Sequence, residues 1–117
     1  MDISSAFKDV VDDFVSSAET EEQLSLFPMI GVMAWNLSYC TQNQRAERIK
    51  VFIDMWNCQT FTWNGTVVQT KEKILELCNR KLRMYPELKQ QIISLDIEGL
   101  EDGFKYIIVS KPIDYTQ

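Results

Sequence analysis

Cys40, Cys58 and Cys78 are the strongest nucleophiles in this sequence, and no histidine accompanies them. A thiol becomes a thiolate at neutral pH only beside a cation or at a helix N-terminus. Cys58, between Asn57 and Gln59 at an expected helix end, has neither and reads as the most exposed but a poor nucleophile. Cys78 continues an apolar helical stripe and reads as core; Cys40 lies beside Tyr39 near another helix end. No C-x-x-C pair is present. Three thiols without histidine fall short of the four ligands of a structural zinc site, so no metal is expected. The missing histidine also excludes Ser-His-Asp and Cys-His catalysis and any histidine pH switch.

Carboxylates could still act as paired acid and base. Asp96, Glu98, Glu101 and Asp102 cluster in the sequence around two glycines, which is the composition of a solvated turn. Asp96-Ile97-Glu98-Gly99 lacks the alternating ligands and closing glutamate of a calcium loop. Lys71, Lys73, Arg80, Lys81 and Arg83 could meet phosphate, yet the last three fall near a helix C-terminus, where cations complement the dipole without any ligand. There is no glycine-rich phosphate loop. No catalytic residue and no cofactor are therefore expected. The formal net charge of −5 argues against nonspecific nucleic-acid binding. That charge is uneven: residues 1–22 are strongly acidic and residues 43–85 are basic, which suits an acidic first helix lying near a basic later one.

The elements that must position these groups follow from periodicity. Ile3, Ala6, Phe7, Val10, Val11, Phe14 and Val15 draw one apolar stripe on a first helix. Thr20 with Gln23 has capping-box spacing and starts a second helix, apolar almost all round, with a kink or short break expected between Ser25 and Pro28. Thr41 with Gln44 starts a third, whose inward stripe is Ala46, Ile49, Phe52, Ile53 and Trp56, with Arg45 pointing outward. Asn64-Gly65 between β-branched and aromatic residues predicts a short hairpin or ordered loop at 59–69. Thr70 caps a fourth helix that stops at Pro86. Residues 90–110 read as an antiparallel hairpin, with Ile93, Leu95 and Ile97 on one face. The expected fold is one α+β domain over 1–117, dominated by about four helices, with a C-terminal β-hairpin.

Trp35 and Trp56 fall on core stripes. Phe61 and Trp63 fall at a loop tip, where they either pack on the bundle or anchor an interface. Trp35, Asn36 and Tyr39, late in the central helix, are the residues that would line a pocket between that helix and the hairpin. A lone hairpin needs company, either from residues 59–69 or from another chain at an open edge.

Ala34-Trp35-Asn36-Leu37-Ser38 late in a hydrophobic helix resembles a group of small uncharacterised bacterial proteins. In that group a polar, Arg-containing helix follows, then a helix ending in a basic pair and an aromatic-Pro step, matched here by Arg80-Lys81 and Tyr85-Pro86, and a terminal hairpin, here Ile92 to Val109. Thr60 to Gln69 departs from the pattern. The resemblance implies a bacterial origin and no particular activity.

No apolar run approaches the roughly 20 residues that span a bilayer, and Met1-Asp2-Ile3-Ser4 is acidic where a signal peptide is basic, so a cytoplasmic protein is expected. The expected function is a small non-enzymatic protein-interaction module that self-associates as a homodimer and binds a protein partner, away from membrane and nucleic acid. The alternative is a small-molecule or nucleotide-binding domain with its pocket between central helix and hairpin.

Overall fold

The computed structural model of the chain describes residues 2–113. Four helices dominate an α+β fold: α1 (Ile3–Val15), α2 (Glu21–Leu37), α3 (Gln42–Trp56) and α4 (Thr70–Met84). A short hairpin, β1 (Thr60–Trp63) and β2 (Thr66–Gln69), precedes α4, and a long one, β3 (Gln90–Leu100) and β4 (Gly103–Pro112), follows it. The two hairpins form separate two-stranded antiparallel sheets and do not pair with each other, which removes one of the two companions expected for the long one.

Local chemistry sets the helix ends. Asp2 caps α1 by accepting from the Ser5 amide at 2.8 Å, a bond that also holds its carboxyl below the usual range. Thr20 caps α2, but Gln23 does not complete the box. Its Oε1 accepts from the Glu19 amide and its Nε2 donates to the Thr62 carbonyl, tying the start of α2 to β1. Thr41 and Gln44 form a full capping box on α3, which ends at Asn57 in the left-handed region, φ 50°. Thr70 is not a cap. It is the first residue of α4, fully buried, and its hydroxyl donates to the Cys58 carbonyl at 2.8 Å.

The break expected near Pro28 is absent, and α2 runs continuously through it. Proline removes a single amide donor. Packing compensates, because Leu26, Phe27, Pro28, Ile30, Gly31, Ala34, Trp35 and Leu37 are all buried. Gly31 permits the closest approach: a Cβ there would lie 3.1 Å from Val11 Cγ1 and 3.2 Å from Phe7 Cζ. The α1 stripe lies against this helix, with Phe14 stacked on Phe27 at 4.2 Å between centroids. Phe7 stacks on both Trp35 and Tyr106, which joins α1 to the central helix and to β4.

The long hairpin lies across α1 and α2. A bulge between Ile92 and Ser94 alters the expected phase: Ile92 turns into the core, while Ile93 is 57 % exposed. Leu95 and Ile97 stay on the inner side, half-buried, opposite Ile108 and Tyr106.

Asn64 and Gly65 both have positive φ, 51° and 77°, as a two-residue turn matched to strand twist requires. Nothing lies within 4 Å of where a Gly65 Cβ would stand, so a substitution there meets only backbone strain. Gly65→Ala should lower unfolding free energy by about 1 kcal/mol in urea titrations. An unchanged midpoint would show that the turn relaxes without cost.

Candidate functional site

The last turn of α2 and the turn that follows it hold Trp35, Asn36 and Tyr39, and the structure does bring them to the hairpin. They close the seam with hydrogen bonds, and Tyr39 also lines a cleft beside it while Asn36 lines a groove between α2 and α3. Trp35 Nε1 donates to the Gln90 carbonyl at 2.9 Å. Asn36 Nδ2 donates to the Ile92 carbonyl at 3.0 Å, while Asn36 Oδ1 accepts from the Ile92 amide at 2.8 Å. The Tyr39 hydroxyl donates to the Leu88 carbonyl and accepts from the Gln90 amide. Three side chains thus serve successive backbone groups along the free edge of β3, as a neighbouring strand would. A ligand entering between central helix and hairpin would have to break them.

Beside the seam lies a cleft of about 300 Å³ lined by Ser38, Tyr39, Cys40, Thr41, Lys81, Leu82, Pro86 and Lys89. Lys81 is only 1 % exposed. Its Nζ donates to the Leu88 carbonyl at 2.7 Å and lies 4.4 Å from the Tyr39 ring centroid and 5.2 Å from that of Trp35. Burial pushes its pKa down to about 8; Cys78 works against this and the charge of Lys89 adds to it. The Cys78 thiol is pushed up by burial and is inert. Cys58 is half-buried, with Sγ 3.3 Å from the Thr60 carbonyl. Among the described residues no three cysteine, aspartate or glutamate side chains gather where they could hold a metal ion.

Phe61 and Trp63 belong to a second aromatic cluster. Phe61 is buried, 5.2 Å from Phe27 and 5.9 Å from Phe14. Trp63 is half-buried, edge-on to Phe14, with its Nε1 donating to Ser17 Oγ at 2.7 Å. Lys73 Nζ sits 3.6 Å from the Trp63 centroid and pairs with Glu76 at 2.9 Å. In this chain both aromatics tie the short hairpin to α1, α2 and α4. The basic segment likewise turns inward on the acidic helix, for Arg80 donates to the Val10 carbonyl and to Asp13, and Tyr85 donates to Asp9.

An apolar open groove involves Trp56, which periodicity placed in the core. Trp56, read as core, is 37 % exposed. With Met29, Val32, Met33, Asn36, Leu37, Arg48, Val51, Phe52, Met55 and Gln91 it lines a groove of about 360 Å³ between α2 and α3. Met55 is 76 % and Val51 55 % exposed. Arg45, expected to point outward, donates to the Leu37 and Ser38 carbonyls and caps the C-terminus of α2. Arg48, Val51 and Met55 form the exposed stripe of α3 beside the groove. The steps of three and four between those residues were the available signal.

Two outcomes test the seam. Asn36→Ala leaves both polar groups of the buried Ile92 unpaired and should cost about 2–3 kcal/mol in urea titrations, with faster amide exchange at 90–92. A loss below about 0.5 kcal/mol would assign hairpin docking to the aromatics. For Lys81, the unfolded side chain titrates near 10.4, above the folded value, so the unfolded state binds more protons from about pH 8 upward and stability rises with pH there. Cys78 acts oppositely above about pH 9, since its folded-state thiol retains the proton. Lys81→Met should therefore remove a rise in stability between about pH 7.5 and 9, measured by urea titrations at each pH; identical slopes in both proteins would place Lys81 in water.

No family model, curated protein or solved structure was found to match the chain, so a functional reading rests on this geometry.

Proposed function

We propose that the chain is a non-enzymatic protein-interaction module whose binding surface is the α2–α3 groove. One observation carries this reading. Met29, Val51, Met55 and Trp56, all exposed, meet in a single apolar groove, while Trp35, Asn36 and Tyr39 spend their polar groups on the fold. Methionine adapts its shape to different partners, and Trp56 supplies a rigid anchor.

The occupant that fits is an amphipathic helix. Both walls run about two helical turns, from Met29 to Asn36 on α2 and from Arg48 to Met55 on α3. An apolar face with anchors at i, i+3 or i+4, and i+7 matches that length. Arg48 is the one charged side chain on the walls, so the partner helix carries an acidic residue at the corresponding end. The small-molecule reading receives less support, because the polar groups of Trp35, Asn36 and Tyr39 are bonded to the hairpin backbone.

The probe is a displayed library of 16-residue amphipathic helices, selected on the wild-type protein and counter-screened on Val51→Glu/Met55→Glu. Enriched peptides should share the anchor spacing with an acidic flank, shift Trp56 fluorescence to the blue, and lose at least tenfold in affinity for the double variant. Both substitutions are at exposed positions, so the melting temperature should stay within a few degrees. Peptides that bind both proteins equally, or no enrichment at all, would overturn the groove as the binding surface.

A further inference from the structure

We infer that Met29, Met33 and Met55 are modification sites, and that their oxidation to methionine sulfoxide by a peroxide switches off binding in the α2–α3 groove. The inference rests on that groove being the binding surface and adds how the surface is regulated.

The placement of the methionines motivates it. The chain has five, and three of them line this one groove. Met29 and Met33 are four residues apart, on one face of α2, and Met55 stands on the opposite wall, on α3. Met29 is 38 % and Met55 76 % exposed, and Met33 is half-buried. A small oxidant therefore reaches these thioethers without any unfolding. Among the described residues no methionine belongs to the buried core, and no cysteine lines the groove. Met84, also exposed, lies at the far end of α4 and off the groove.

The step balances within one thioether and one hydrogen peroxide. A sulfur lone pair attacks one peroxide oxygen; the S–O bond forms as the O–O bond breaks. The sulfur is oxidised by two electrons, and the other oxygen takes up the transferred proton and leaves as water. The side chain keeps its length but now carries a strong hydrogen-bond acceptor where it was apolar.

Position decides what that oxygen does. In the free protein the new oxygens of Met29 and Met55 face water, so the fold is not disturbed. Under an apolar helix they lose that water, and an acceptor buried without a donor is unfavourable. Arg48, the one cation on the walls, stands seven residues from Met55 along α3, about two turns away. Asn36 has already given its amide hydrogen to the Ile92 carbonyl. One reagent thus makes both walls polar and leaves the core untouched.

The peptides selected on the untreated protein are the probe. Wild type treated with hydrogen peroxide, with sulfoxide at the three positions verified by peptide mapping, should bind them roughly tenfold or more weakly. Its circular dichroism should not change. The two methionine sulfoxide reductases, one for each sulfoxide epimer, should restore the affinity. Met29→Leu/Met33→Leu/Met55→Leu keeps the walls apolar and close in volume, so it should bind before treatment and equally well after it. That variant retains Met84 and all three cysteines, so an equal loss in both proteins would place the damage elsewhere and overturn the inference. Should the triple variant fail to bind untreated, the reductases decide, and affinity that does not return overturns it. Oxidised wild type that binds as before also overturns it, while the groove stands as the binding surface. Failure to enrich any peptide on untreated protein overturns the groove reading first, and this inference with it.

Discussion

A two-stranded ribbon cannot satisfy its own outer edges, and this chain solves half of that problem with side chains. Trp35, Asn36 and Tyr39, at the end of α2 and in the turn after it, offer donors and acceptors to the backbone from Leu88 to Ile92. The rest of the molecule is arranged around that docking. With β3 held on α2, Tyr106 comes to lie under Phe7 and donates to Asp12, so β4 is joined to α1 as well. Lys81 is buried because the same seam closes over it: Leu88 supplies its acceptor, and Tyr39 and Trp35 supply its rings. Burial in the company of a carboxylate hydrogen bond and acidic neighbours pushes the Tyr106 hydroxyl well above the ordinary phenol range, keeping it a donor at every physiological pH.

The electrostatic organisation follows the same economy. A net acidic chain with a basic middle could display that middle as a surface patch, yet four of its cations work inside or at the seams. Lys73 lies on Trp63, Lys81 on Tyr39 and Trp35, Arg45 on the α2 carbonyls, and Arg80 bridges α1 and α4. Carbonyl oxygens and ring faces stabilise a buried cation without the second desolvation that a buried carboxylate would add. What remains outside is mostly acid, which is a poor surface for phosphate backbones.

Elements set by local rules were legible in the residues. The α1 stripe, the caps at Thr20 and Thr41, the Asn64-Gly65 turn and the Pro86 stop all depend on neighbours within four positions, and each appears where spacing placed it. Features set at long range were not. Ile93 alternates correctly with Leu95 and Ile97 on paper, but one bulge residue reverses its side. Trp56 lies on an apolar helical stripe whose middle, Ile49 and Phe52, is buried as expected, yet its two ends, Ala46 and Trp56, stay exposed. Trp35, Asn36 and Tyr39 were placed between the right elements, but their hydrogen bonds to the hairpin backbone were not legible, because spacing shows which side chains face a strand and not whether its backbone already has partners. Pro28 shows the converse: the helix continues without a break through a residue whose local rule disfavours it, with most sides of α2 buried.

These misreadings share a direction. Polar and aromatic residues that looked available for ligands are used in holding the hairpin, and apolar residues that looked like core are left outside. In a chain of this size the core cannot enclose every large side chain. The seam settles which ones remain out, since docking β3 at Asn36 fixes the inner face of the ribbon and therefore leaves Ile107 and Val109 on the other. Capping α2 with Arg45 likewise fixes the rotation of α3 and leaves Val51 and Met55 uncovered. The two exposed apolar surfaces are thus consequences of the hydrogen bonds that build the fold. Polar substitution on either surface would leave those bonds intact, because none of the exposed side chains takes part in them.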